Sequence, residues 1–252
     1  MDEMLMKAGQ DNFSLPHDLV PLPSQGVFYK SKKKSVKVGY LTASDENYIA
    51  SAISNPNENI VMGLIRQKLY EPDLRPEELL AGDIEAILLF LRNTSFGPEY
   101  IVSTTDPQTG KKFESTLILD ELNIKKCEHT PNEDGTFSTI LPKSGAQVKI
   151  RPLTYSETND INRMSEEYPQ GRVAPKVSWR LQKQIMELNG ERDKGKIALI
   201  VDTLPISDSK YIRNFLRDNE PSLDLTKKVK TPSGEMVTID VAFGVEFFRP
   251  FF

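Results

Sequence analysis

The chain has few of the residues from which most protein chemistry is built. Among 252 residues there is one cysteine, Cys127, and there are two histidines. A single cysteine excludes an intramolecular disulfide framework and fits a reducing compartment. A dense metal centre would need distant carboxylates to complete it, and His17 has no ligand partner at metal spacing. No P-loop, dinucleotide-binding glycine motif, nucleophile elbow or zincin motif occurs. The chain therefore gives no expectation of a catalytic residue, a metal or a cofactor. No apolar run approaches the roughly 18 residues that span a bilayer. Met1-Asp2-Glu3-Met4-Leu5-Met6-Lys7 has neither a basic start nor an apolar signal core. We therefore expect a cytoplasmic protein with no membrane partner. Basic charge is also short, at a net −4, so Lys30-Ser31-Lys32-Lys33-Lys34 reads as a solvated hairpin loop rather than a nucleic-acid footprint. Paired carboxylates occur at Glu77-Glu78, Asp120-Glu121 and Glu166-Glu167, and the last two read as solvated surface.

What the chain does have is a phrase stated twice. Leu22-Pro23-Ser24-Gln25-Gly26 precedes a 14-residue stretch starting at Val36, and Leu141-Pro142-Lys143-Ser144-Gly145 precedes another starting at Val148. Seven of those fourteen positions are identical, among them Leu41/Leu153 and Thr42/Thr154; Asp45/Glu157 is a conservative pair. A second match follows, from Asp83 through Arg92 in one half and from Asp208 through Arg217 in the other. An internal duplication is the simplest reading.

The pattern predicts an α+β fold of two tandem modules, each with short strands, then helices, then a β-hairpin. The expected boundaries are an N-terminal arm over 1–20, repeats over 21–122 and 141–247, a linker over 123–140 and an aromatic tail over 248–252. Val27-Phe28-Tyr29 and Ser35 to Tyr40 read as strands. Thr42 or Ser44 and their counterparts Thr154 and Ser156 read as helix caps, with Asp45 and Glu157 in the first helical turn. Asn55-Pro56-Asn57 breaks the chain before a helix bearing Ile60, Val61, Leu64, Ile65 and Leu69 on one face. Val177, Leu181, Ile185 and Leu188 predict a further helix, while Lys196 to Val201 fits a helix or a buried strand equally. Asp83 and Asp208 each open an apolar helix and read as N-terminal residues of it, not catalysts. Hairpins are expected around Asp106-Pro107-Gln108-Thr109-Gly110 and Thr231-Pro232-Ser233-Gly234.

The chain ends Phe243-Gly244-Val245-Glu246-Phe247-Phe248-Arg249-Pro250-Phe251-Phe252. Five phenylalanines in ten residues predict either core packing or a partner-docking tail made of Phe247, Phe248, Phe251 and Phe252.

The ordered set Leu22, Pro23, Ser24, Gly26, Tyr29, Leu41, Thr42, Asp45, Glu46, Gly82, Asp83, Leu91, Arg92 and Gly97 resembles the T-even-type bacteriophage baseplate hub proteins and hub assembly chaperones. The second copy carries the phrase through Leu141, Pro142, Gly145, Leu153, Thr154, Asp208 and Arg217. The resemblance implies a non-enzymatic protein of the infected bacterial cytoplasm, or of the virion tail baseplate. Its implied partners are other baseplate hub proteins. Two alternatives stand beside it: a nucleic-acid-associated phage protein using Lys30 to Lys34 and Lys125-Lys126, and a carboxylate-dependent hydrolase.

Overall fold

The computed structural model describes residues 16–54, 60–125, 127–241, 243 and 245–248. It is a mixed α+β protein with seven α-helices and several small antiparallel sheets among the described residues. Strand β1 (His17–Pro21) pairs with β2 (Ser35–Gly39), placing Val20 opposite Val36. Strand alternation turns Val36 and Val38 into the core, where both are fully buried. Helices α1 (Ala43–Ser54), α2 (Ile60–Lys68) and α3 (Ala81–Phe96) follow, then the hairpin of β3 (Glu99–Thr105) and β4 (Lys112–Ile118). Ile60, Val61, Leu64 and Ile65 form the buried stripe of α2.

The second half opens in the same way. Strand β5 (Phe137–Ile140) pairs with β6 (Gln147–Ile150), and Thr139 faces Val148. In both hairpins the residue two before the Leu-Pro pair therefore opposes the first valine of the returning strand. Helices α4 (Tyr155–Glu166) and α5 (Lys176–Gln184) follow. Strand β7 (Ile185–Leu188) then joins β6 with Ile185 opposite Ile150. In the first half a single bridge, Val38 to Leu69, stands at the corresponding place directly after α2. Helix α6 (Lys194–Asp202), helix α7 (Ile206–Asn219) and the hairpin of β8 (Thr226–Lys230) and β9 (Met236–Asp240) complete the order.

Two apolar cores result, and they do not divide where the sequence repeats. One gathers Leu22, Val36, Leu64, Ile87 and Leu91 with Val229, Val241, Phe247 and Phe248 from the far end of the chain. The other holds Phe137, Val148, Ile150, Leu181, Ile185, Ile197 and Ile212. Each fully buried side chain of this kind contributes about 1.5–3 kcal/mol of transfer free energy. Backbone bonds stitch the halves together: Tyr155 N–H donates to Leu79 C=O at 2.8 Å and Lys125 N–H to Ser222 C=O at 2.9 Å. The two hairpin tips also meet, with Ser233 N–H and Oγ–H donating to the Asp106 carboxylate at 3.1 and 2.9 Å.

Several local expectations change. Val27 to Tyr29 is a turn and not a strand, because Tyr29 is drawn inward by a buried carboxylate described below. Residues 17–20 of the expected arm belong to strand β1 (His17–Pro21), and the expected linker contains β5. The predicted helix through Leu188 stops at Gln184; from Ile185 the backbone pairs with β6, which outweighs the helical spacing. Lys196 to Val201 lies within helix α6. The break at Asn55 to Asn57 and the arm over residues 1–15 lie outside the described residues.

Candidate functional site

The two Leu-Pro turns are each held by an aspartate at the third position of a distant helix. Asp83 stands third in α3 and Asp208 third in α7, and neither helix has a side-chain N-cap bond. Ser24 N–H donates to Asp83 Oδ1 at 2.9 Å, and the Tyr29 hydroxyl donates to Oδ2. Tyr29 Oη in turn accepts from Leu80 N–H at 2.9 Å. In the second half Lys143 N–H and Ser144 N–H donate to the two Asp208 oxygens at 2.7 and 2.9 Å. Both aspartates are fully buried. Their acidities diverge nonetheless. Burial raises the Asp83 pKa above the usual carboxylate value despite the bonds from Ser24 and Tyr29. At Asp208 burial also pushes upward, but the bonds from Ser144 and Lys143 outweigh it and the pKa falls.

Each turn closes on a glycine in left-handed conformation, Gly26 at φ +71° and Gly145 at φ +69°. Leu22, Pro23 and Leu141 are buried, whereas Pro142 is exposed. The Thr-x-x-acid phrases start helices. Thr42 N–H and hydroxyl both donate to Asp45 Oδ2 at 2.6 Å. Thr154 and Glu157 form a reciprocal capping box. Leu41 packs against the first core and Leu153 is buried. The acids then diverge in partner: Asp45 makes a buried ion pair with Lys68, and Glu157 pairs with Arg151. Arg92 is buried and donates to the carbonyls of Gly97 and Glu99, pinning the exit of α3. Its counterpart Arg217 is exposed and pairs with Asp218.

Of the predicted docking tail, Phe247 and Phe248 are 0% and 1% exposed. Phe247 lies 5.5 Å from Tyr100 and 4.6 Å from Phe243, ring centre to ring centre, with the Arg92 guanidinium over its face. These two rings belong to the first core and are closed to a partner. Phe251 and Phe252 lie outside the described residues.

Sequence reasoning missed a polar cavity of about 350 Å³ where α3, α5 and α7 converge. Glu85, Gln184 and Glu220 line it, with Arg180, Arg213 and Arg217. Burial lifts both glutamates to a pKa of about 7, and their mutual repulsion adds to the rise at Glu85. Glu85 lies on α3, Gln184 ends α5 and Glu220 directly follows α7, so no local motif announces them. Among the described residues no three His, Cys, Asp or Glu side chains are grouped to hold a metal ion. No described helix is long and apolar enough to cross a membrane.

Buried acids spent on holding turns and starting helices define a class of protein in which polar groups serve architecture. The family follows from comparison: the chain belongs to the T4 bacteriophage base plate protein family, whose model matches residues 26–249. No curated protein and no solved structure matches the chain.

Proposed function

We propose that this baseplate-family protein promotes assembly of the central baseplate hub, or forms part of it, through protein–protein contacts and without catalysis. The observation that carries this reading is the family match over 224 consecutive residues, 26 to 249. The geometry supports it, because the conspicuous acids are occupied: Asp83, Asp208, Asp45 and Glu157 all hold backbone or cations. The lysine-rich loop does not favour nucleic acid. Lys32 donates to the carbonyls of Val27 and Glu133, and Lys33 pairs with Glu71 and Asp73. The reading also takes the chain as a duplication of 21–122 and 141–247 about a connecting 123–140. Support comes from the equal hairpin registers and from the two third-position aspartates on the two Leu-Pro turns.

The test is reconstitution of the hub from the other baseplate proteins of the phage, with and without this chain. Faster or fuller hub formation with the chain supports the reading, and its presence or absence in the purified product tells constituent from assembly factor. Unchanged hub formation together with its absence from the product would sink it.

A further inference from the structure

The two halves differ in what covers the face between the Asp-headed helix and the strand before the Leu-Pro turn. In the second half, between α7 and β5, that face is closed. The hydroxyls of Tyr211 and Thr139 share a hydrogen bond of 2.8 Å. The His129 ring lies 4.8 Å from the Phe215 ring, centre to centre, and its backbone N–H donates to Asn219 Oδ1 at 2.7 Å. Phe215 is accordingly buried. His129 belongs to the segment directly before β5, which turns back on itself where Asn132 N–H donates to Thr136 C=O at 2.7 Å.

In the first half the same face is open among the described residues. With Asp83 answering Asp208, Ala86 answers Tyr211 and Phe90 answers Phe215. The hairpin registers make Val20 the counterpart of Thr139. Ala86, Phe90 and Val20 line a groove of about 540 Å³ between α3 and β1, with Leu19 and Ile124 at its edge. Alanine in place of tyrosine leaves that space unfilled. Leu19 is 64% and Ile124 47% exposed, and Phe90 is only half-buried. The lining is apolar apart from Asn93, Thr94 and Asp120, and the Asn93 amide already donates to the Asp120 carboxylate at 2.6 Å. An open apolar groove rimmed by polar groups marks a surface that something covers.

We propose that residues 1–15 of the same chain close this groove, with Met4, Leu5 and Met6 seated against Leu19, Phe90 and Ile124. The proposal rests on the duplication taken in the reading above, because the second half supplies the pattern: residues 1–15 stand directly before β1 as His129 and its neighbours stand before β5. The chain also enters β1 beside the groove. Tyr40 N–H donates to Pro16 C=O at 3.3 Å, and the Tyr40 ring stacks on Phe90 at 5.8 Å. Gly9, Asp11 and Asn12 are turn-forming residues placed between that entry and the apolar run Met4-Leu5-Met6, where Asn132 to Gly135 make the reversal in the second half. Unbranched methionine fills an irregular groove that no single ring is shaped to fit.

The test is methyl NMR on the full chain with ¹³C-labelled Met, Leu and Ile methyl groups. Nuclear Overhauser contacts from the Met4 and Met6 methyls to those of Leu19 and Ile124 are expected, and they should persist within one chain when labelled and unlabelled protein are mixed. Trypsin cleavage after Lys7 gives a second readout. It should be about tenfold or more slower in the full chain than in L5D/M6D, since cleavage follows the undocked population. L19D, which charges an exposed edge of the groove without touching the core, should lose the contacts and be cleaved as fast as L5D/M6D. Absent contacts, or equal cleavage of all three proteins, would overturn the proposal. Contacts that form only between chains, or only when a hub protein is added, would also overturn it and give the groove to that partner. Contacts absent while hub assembly still depends on the chain refute the groove proposal alone; contacts present while assembly is unaffected by the chain refute the assembly reading alone.

Discussion

At Asp83 the carboxylate accepts from Ser24 and Tyr29 inside the core, whereas the N–H groups bound by Asp208 belong to an exposed turn. Water can replace a lost acceptor at the second turn but not at the first. Asp83→Ala should therefore cost about 2–4 kcal/mol, since two buried donors lose their partner. In thermal melts that is a fall of roughly 5–15 °C for a chain of this size. Asp208→Ala should shift the midpoint much less; an equal shift would show that the second turn is as closed to water as the first. A second residue-scale prediction concerns Glu85 and Glu220, whose folded pKa values of about 7 lie above the ordinary glutamate value of 4.5. Between those limits the folded state binds more protons than the unfolded one, so stability falls as pH rises from about 4.5 to about 7 and then levels. The cost is on the order of 1–3 kcal/mol per group at neutral pH. E85Q/E220Q should flatten that slope in denaturant titrations, and an unchanged slope would place its origin elsewhere.

Among elements, the Leu-Pro turn is the one most legible in the sequence, because glycine, proline and a following period-two strand announce it locally. The acid that holds it is not legible: Asp83 lies 59 residues from Ser24, and a helix-terminal aspartate has a local explanation that conceals the distant one. Strand β7 was hidden for the opposite reason, since Ile185 and Leu188 keep helical spacing while tertiary pairing with β6 decides their conformation. The turn itself yields a prediction from geometry. At Gly26 an added Cβ would lie 2.3 Å from the backbone oxygen of Lys33, whereas at Gly145 it would meet nothing within 4 Å. Both positions strain an L side chain through their positive φ, at about 1–2 kcal/mol. Only Gly26→Ala adds a backbone clash that a flexible side chain cannot relieve. Gly26→Ala should thus be the more destabilising by thermal melt. Equal shifts for the two variants would mean the 22–34 loop yields freely.

For the whole molecule, the repeat in sequence and the partition of the core follow different lines. The β8–β9 hairpin follows the second Leu-Pro phrase, yet Val229 of β8 and Val241 just beyond β9 share the first core with Ile87 and Leu91, and the hairpin tips bond through Asp106 and Ser233. No local pattern carries this, because both hairpins present the same alternation and the choice of neighbour is made by the assembled core. The chain end closes that core. Phe247 is fully buried among Tyr100, Phe243 and Phe248, so Phe247→Ala should cost about 3–5 kcal/mol, the range for emptying a buried aromatic site. Deletion of residues 249–252 removes Phe251 and Phe252 while leaving Phe247 and Phe248 in place. On the reading that the last two rings meet a partner, the deletion leaves the melting temperature within a degree or so and abolishes hub co-assembly. The two variants separate the roles of one short segment: the first must unfold the protein before it affects assembly, and the second must affect assembly without unfolding. A deletion that lowers the melting temperature by several degrees would assign all four rings to the core and exclude the chain end as the docking element.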